Sequence, residues 1–174
     1  AQQRKTDERK IEDQAARLAA IFESSTHQIW SIDKSYCFTS FNQNFADSFY
    51  AYYGISPELG MSLSDNKILS SEDEEHWSHE YSKAIEGNIR NFQVQNTDGK
   101  GNRIWRDIFL NPIFLPNGNI EEISVIANDI TEKKQSEKSL QESEEKFRNI
   151  FESFQDIYFR CDLEGNISMV SPSA

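Results

Sequence analysis

No glycine or proline interrupts residues 2–24, and Ile11, Ala15, Leu18 and Phe22 recur at alternating steps of four and three. That spacing winds a narrow apolar seam along a helix whose other faces are charged. The seam suits pairing with a second helix; docking on the chain's own domain is the alternative. From residue 27 the period falls to two. Residues 27–33 and 36–41 are short aromatic and β-branched runs split by Asp33-Lys34-Ser35, which predicts a hairpin. Residues 42–53 return to helical spacing, with Phe45, Phe49 and Tyr53 on one face. Gly54 serves as a C-cap, and Pro57 and Gly60 mark a loop. A further helix is expected over 72–86, opening on Glu72, Asp73, Glu74 and Glu75 and stopping at Gly87-Asn88.

Three strands are then expected, at 89–96, 103–114 and 120–128, separated by turns at Asp98-Gly99 and Pro116-Asn117-Gly118. In the middle one Ile104, Ile108 and Leu110 share one parity, and Trp105 and Phe109 the other. Hairpin connections make the sheet antiparallel, so the fold class is α+β, with five strands and helices gathered on one face. From Thr131 the helical period resumes to about Phe154. Thr131 is placed as its N-cap, with Asp129 just before. Such an arm spans roughly 36 Å and needs a partner to be stable in water.

The chain also matches itself at a shift of 129 positions, without a gap. Ile21-Phe22-Glu23-Ser24 falls on Ile150-Phe151-Glu152-Ser153, Asp33 on Asp162, Phe38 on Ile167 and Phe41 on Val170. Ile11 and Leu18 of the seam fall on Leu140 and Phe147. A repeat of this length is a domain plus its connector. The organisation expected is a helical arm at 1–17, a domain at 18–130, a linker helix at 131–155, and the truncated start of a second copy at 156–174. Two strands are not independently stable, so this last stretch is expected to be disordered or docked elsewhere. The likeness of residues 2–11 to 131–140 extends the pattern: a similar domain is expected upstream, with a membrane helix as the rival.

Composition narrows the function. Thirty-seven per cent apolar residues, with twelve Phe, six Tyr and three Trp, suffice for a core. The mean hydropathy of -0.70 reflects the polar chain ends. A net charge of -11 disfavours nucleic acid and anionic lipid. No stretch is long and apolar enough to insert into a membrane, and two distant cysteines, Cys37 and Cys161, suit a reducing compartment. A cytoplasmic location is expected. There is no phosphate loop, nucleophile elbow or metal-ligand spacing, so no catalytic residue is assigned and the chain is read as not an enzyme.

Phe41-Asn42 with Phe45, Gly54-Ile55-Ser56-Pro57-Glu58-Leu59-Gly60, Asp98-Gly99 with Arg103-Ile104-Trp105 and Pro112, and Gly118 with Asp129-Ile130-Thr131-Glu132-Lys133-Lys134 follow in order. In these motifs the chain resembles the PAS family of sensory domains over roughly residues 18–134. The resemblance implies a five-stranded antiparallel sheet covered on one face by helices. It also implies regulation of a distant output domain, as in tandem PAS regions of bacterial sensor histidine kinases. It further implies that Asp129 and Thr131 relay signal at the junction between the last strand and the exit helix.

The candidate chemistry is sparse. Trp30, Phe45, Phe49, Trp77, Phe92 and Trp105 can line a pocket, or simply form the core. His76 and His79 share a helix face and are weak candidates for haem or metal, set against a surface role. No Cys lies between 42 and 66, which disfavours a flavin-adduct photosensor. No cofactor is expected, and a colourless preparation follows from that. Two functions stand side by side: a relay and homodimerisation module using the seam, and a sensor with a small molecule in the aromatic interior. An adaptor docking another protein on the exposed sheet face is a third.

Overall fold

The computed structural model describes residues 2–62, 71–97, 101–153 and 159–170. The turn expected at Asp98-Gly99 lies outside them, as do residues 156–158 and 171–174. The chain divides into two units, residues 1–131 and 132–174. The first holds helix α1 (Gln2–Glu23), strands β1 (Gln28–Asp33) and β2 (Phe38–Phe41), and helices α2 (Gln43–Tyr53) and α3 (Ser71–Ile85). Strands β3 (Arg90–Thr97), β4 (Arg103–Phe114) and β5 (Ile120–Asp129) complete it.

The five strands form one antiparallel sheet in the order β2-β1-β5-β4-β3. Its hairpins follow from local turn chemistry. At the first, Asp33 Oδ1 accepts from Ser35 N (2.8 Å) and Cys37 N (3.1 Å). The join between the two strand groups is long-range: β1 lies along β5 from Gln28↔Ala127 to Asp33↔Glu122. At the β2 edge, Gly60 N donates to Phe38 O and Phe38 N to Met61 O, so the loop covers backbone groups that would otherwise be open.

Alternation sorts the sheet into two faces. Ile108 and Leu110 of β4, Ile123, Val125 and Ala127 of β5, and Trp30 and Ile32 of β1 are buried on one of them. Phe38 of β2, Phe45 and Phe49 of α2, and Tyr81 and Ala84 of α3 complete this core. Asn42 fastens α2 to it. As N-cap its Oδ1 accepts from Phe45 N and Ile29 N, both at 3.0 Å. Its Nδ2 donates to Phe22 O (3.1 Å) and His27 O (2.9 Å). One buried amide thus ties the end of α1, the entry to β1 and the start of α2 together. Gly54, at φ 73°, closes α2 by donating to Tyr50 O (2.8 Å).

The second unit holds helix α4 (Thr131–Glu152) beyond its first residue, and a hairpin of β6 (Phe159–Cys161) and β7 (Ile167–Val170). The described part of the stretch expected to be disordered or docked is therefore a formed hairpin. Its turn supplies the reason: Asp162 Oδ1 accepts from Glu164 N and Asn166 N, both at 2.9 Å, and Oδ2 from Asn166 Nδ2. Those hydrogen bonds hold the Asp162 carboxyl below its ordinary pKa.

Candidate functional site

The inner side chains of the first unit do not close completely. Between α2, α3 and the sheet lies a cavity of about 90 Å³. Trp30, Phe45, Phe49, Trp77 and Tyr81 form its aromatic wall, and Gln28, Ser48, Asn96, Tyr53 and Arg106 its polar lining. The aromatic wall is fixed by packing. The Trp30 and Phe45 rings sit 4.6 Å apart, Trp77 stacks on Tyr81 at 5.5 Å, and Trp30 Nε1 donates to Tyr81 Oη at 3.4 Å. Burial drives the Tyr81 phenol well above its ordinary pKa. Burial also pushes Tyr53 up to about 12, with Tyr52 and Asp73 adding to the shift and the Arg106 charge opposing it. Both phenols therefore stay protonated near neutral pH.

Arg106 is the one cation lining this cavity among the described residues. Its place is set by β4, where it shares the inward parity of Ile108 and Leu110, opposite Val94 on β3 and Asp129 on β5. Its Nε is buried and meets no hydrogen-bond acceptor among the described residues. Asp129 turns elsewhere: its Oδ1 accepts from Thr131 N at 2.9 Å.

The same stretch of β4 holds the end of β5 to the start of α4. Trp105 N donates to Thr131 Oγ1 (2.9 Å), and Ile130 N donates to Trp105 O (2.9 Å). Thr131, expected as an N-cap, is instead the first helical residue. Its hydroxyl accepts from a strand amide rather than from its own helix, and Asp129 satisfies the Thr131 amide in its place. No ion pair to Asp129 is found among the described residues.

Sequence comparison with curated proteins finds no match. A family model described as the PAS fold matches residues 22–135. The chain belongs to the PAS-fold family. Solved PAS domains share the architecture. That of an HTR-like protein from Haloarcula marismortui is similar at 22% identity and a TM-score of 0.50, over 72% of this chain and 99% of its own. A PAS domain from Colwellia psychrerythraea gives 21% and 0.53, over 68% and 98%. The PAS domain of BvgS from Bordetella pertussis gives 17% and 0.53, over 78% and 98%. At these identities the likeness speaks for the fold.

Within this PAS domain the residues singled out by sequence fall in different places. Trp30, Phe45, Phe49 and Trp77 line the cavity. Phe92 does not: it packs beside it, 5.2 Å from the His76 ring and 5.7 Å from Trp77. Trp105 does not either, because strand parity puts it on the sheet face opposite Arg106 and Ile108. His76 and His79 are exposed on α3, and the described residues contain no cluster of groups able to hold a metal. Ile11, Ala15 and Leu18 are exposed and Phe22 is half-buried, so the seam is not covered by the domain's own sheet. No helix among the described residues is long and apolar enough to cross a membrane. Arg106, Tyr53 and Tyr81 were not anticipated as contributors to the site.

Proposed function

We propose that this PAS domain is a non-catalytic sensory and relay module that regulates an output domain of the same protein, of the sensor histidine kinase type. The observation that carries the reading is the clasp at residues 129–131. Trp105 holds both the hydroxyl of Thr131 and the amide of Ile130, so the first residue of the exit helix is bonded to β4, an interior strand of the sheet. In this reading a displacement of β4 reaches the start of the exit helix through Thr131. Hydrogen exchange tests this. Thr131→Ala and Asp129→Ala should raise exchange at Trp105 N and in the first turn of α4 by at least tenfold, with the core strands unchanged. Joined ahead of a histidine kinase core, the same variants should uncouple its autophosphorylation from the sensing domain. Unaltered exchange in both variants would remove the clasp as the relay.

The seam of Ile11, Ala15, Leu18 and Phe22 supports homodimerisation as part of the same reading. The 159–170 hairpin fits the opening of a second PAS copy in a tandem arrangement. A ligand-sensing role is the second reading, and the cavity favours it. At about 90 Å³ it is smaller than the ~150 Å³ that holds benzene in a dry protein cavity. That suits a compact molecule and is far too small for a haem or a flavin.

A further inference from the structure

We propose that Arg106 anchors a binding site for a small organic carboxylate in the cavity of the PAS domain, an inference that rests on the ligand-sensing reading and gives that ligand its chemical class.

A guanidinium presents its donors as a planar fork that matches a carboxylate, and the match is strongest where water is excluded. Arg106 points such a fork at the cavity from β4, an interior strand of the sheet, held by β3 on one side and β5 on the other. Its buried Nε–H finds no acceptor among the described residues, an arrangement that destabilises the fold unless something accepts the hydrogen bond. Asp129, the nearest carboxylate by strand register, is committed to Thr131 N. The rest of the lining divides by chemistry. Gln28, Asn96 and Ser48 supply neutral donors near the cation. Tyr53 adds a phenol that burial keeps protonated, and Trp30, Phe45, Phe49 and Trp77 supply apolar walls for a short carbon skeleton. A polar end and an apolar end describe an acid of few carbons, because the volume excludes a long chain.

The test uses the whole chain and three sodium salts, acetate, propionate and butyrate, each beside its neutral amide at constant ionic strength. Tryptophan emission reports on Trp30 and Trp77, and thermal melting gives an independent readout. The expected result is a saturable response and a raised Tm with at least one acid, at least tenfold tighter than its amide. Arg106→Gln should weaken it at least tenfold, and Arg106→Lys should retain part. The Arg106 Nε–H resonance in wild-type protein should move with the acid and not the amide, a readout that survives if the variants fold poorly. Equal binding of acid and amide, or an Arg106→Gln variant that binds as wild type, overturns the carboxylate anchor while leaving a ligand-sensing cavity. No saturable response to any of the six compounds overturns both.

Discussion

At the scale of single residues, the buried charges carry information that composition conceals. Glu80 is buried and paired with Arg90, whose Nε and Nη2 donate to Oε2 (2.7 Å) and Oε1 (3.2 Å). This hydrogen bonding holds Glu80 below the usual carboxylate pKa, outweighing the burial that pushes the other way. The folded pKa is thus below the unfolded one. The pair's contribution is present above about pH 4.3, the ordinary Glu value, and is lost as pH falls through the folded value. Glu80→Gln should lower Tm by roughly 3–6 °C at pH 7, and its Tm should fall less steeply than wild type between pH 5 and 3. Parallel melting curves across that window would refute the assignment. The inward position of Arg106 was legible beforehand, since it stands on the parity of Ile104, Ile108 and Leu110. The same parity argument removes Trp105 from the cavity. Tyr36 was not legible: it adopts φ 60°, a conformation costly for a side chain, while its ring packs 5.8 Å from Tyr81. Its counterpart in the repeat is Gly165, at φ 86°.

Elements with a strong local period were readable, and elements joined at long range were not. α1, α2 and β3 to β5 lie within one or two residues of their expected bounds because seam, cap and turn signals are local. The pairing of β1 with β5 is not encoded by any neighbouring residue. It follows from the need to bury Trp30 and Ile32 beside Val125 and Ile123 on one continuous face. α1 presents the opposite problem, an amphipathic element whose apolar stripe is exposed: Ile11 and Leu18 are 66% and 67% exposed. Side chains so placed gain little from folding of one chain and much from pairing of two. Ile11→Glu with Leu18→Glu should weaken self-association at least tenfold in sedimentation equilibrium and leave the domain's Tm within about 2 °C. A wild-type chain that sediments as a monomer at high micromolar concentration would refute dimerisation through the seam.

For the whole molecule, the internal repeat ties its parts together, and the two matching stretches are comparable element by element. A shift of 129 carries α1 (Gln2–Glu23) onto α4 (Thr131–Glu152) and β2 onto β7. The pairings Trp30↔Phe41 and Ile32↔Phe38 recur as Phe159↔Val170 and Cys161↔Ile167, with the same irregularity between the second and third pairs. The turn hydrogen bonds recur as well: Asp33 N to Cys37 O and Tyr36 N to Asp33 O become Asp162 N to Asn166 O and Gly165 N to Asp162 O. What differs is burial. Trp30 and Phe38 are 6% and 1% exposed, while Phe159 and Ile167 are 57% and 62% exposed. The first hairpin has β5 beside it and α2 above it; among the described residues β6 and β7 form a sheet of two strands. A two-stranded hairpin with exposed apolar side chains is marginal in water, however well its turn is bonded. Amides of 159–170 should therefore exchange at least a hundredfold faster than those of β1 and β2, although turn and register are the same. Adding a chain segment that supplies the counterparts of α2 and β3 to β5 should bring the two hairpins to similar protection. Equal protection without it would mean that turn chemistry alone stabilises the motif, and would count against the proposal that 159–170 opens a second PAS copy.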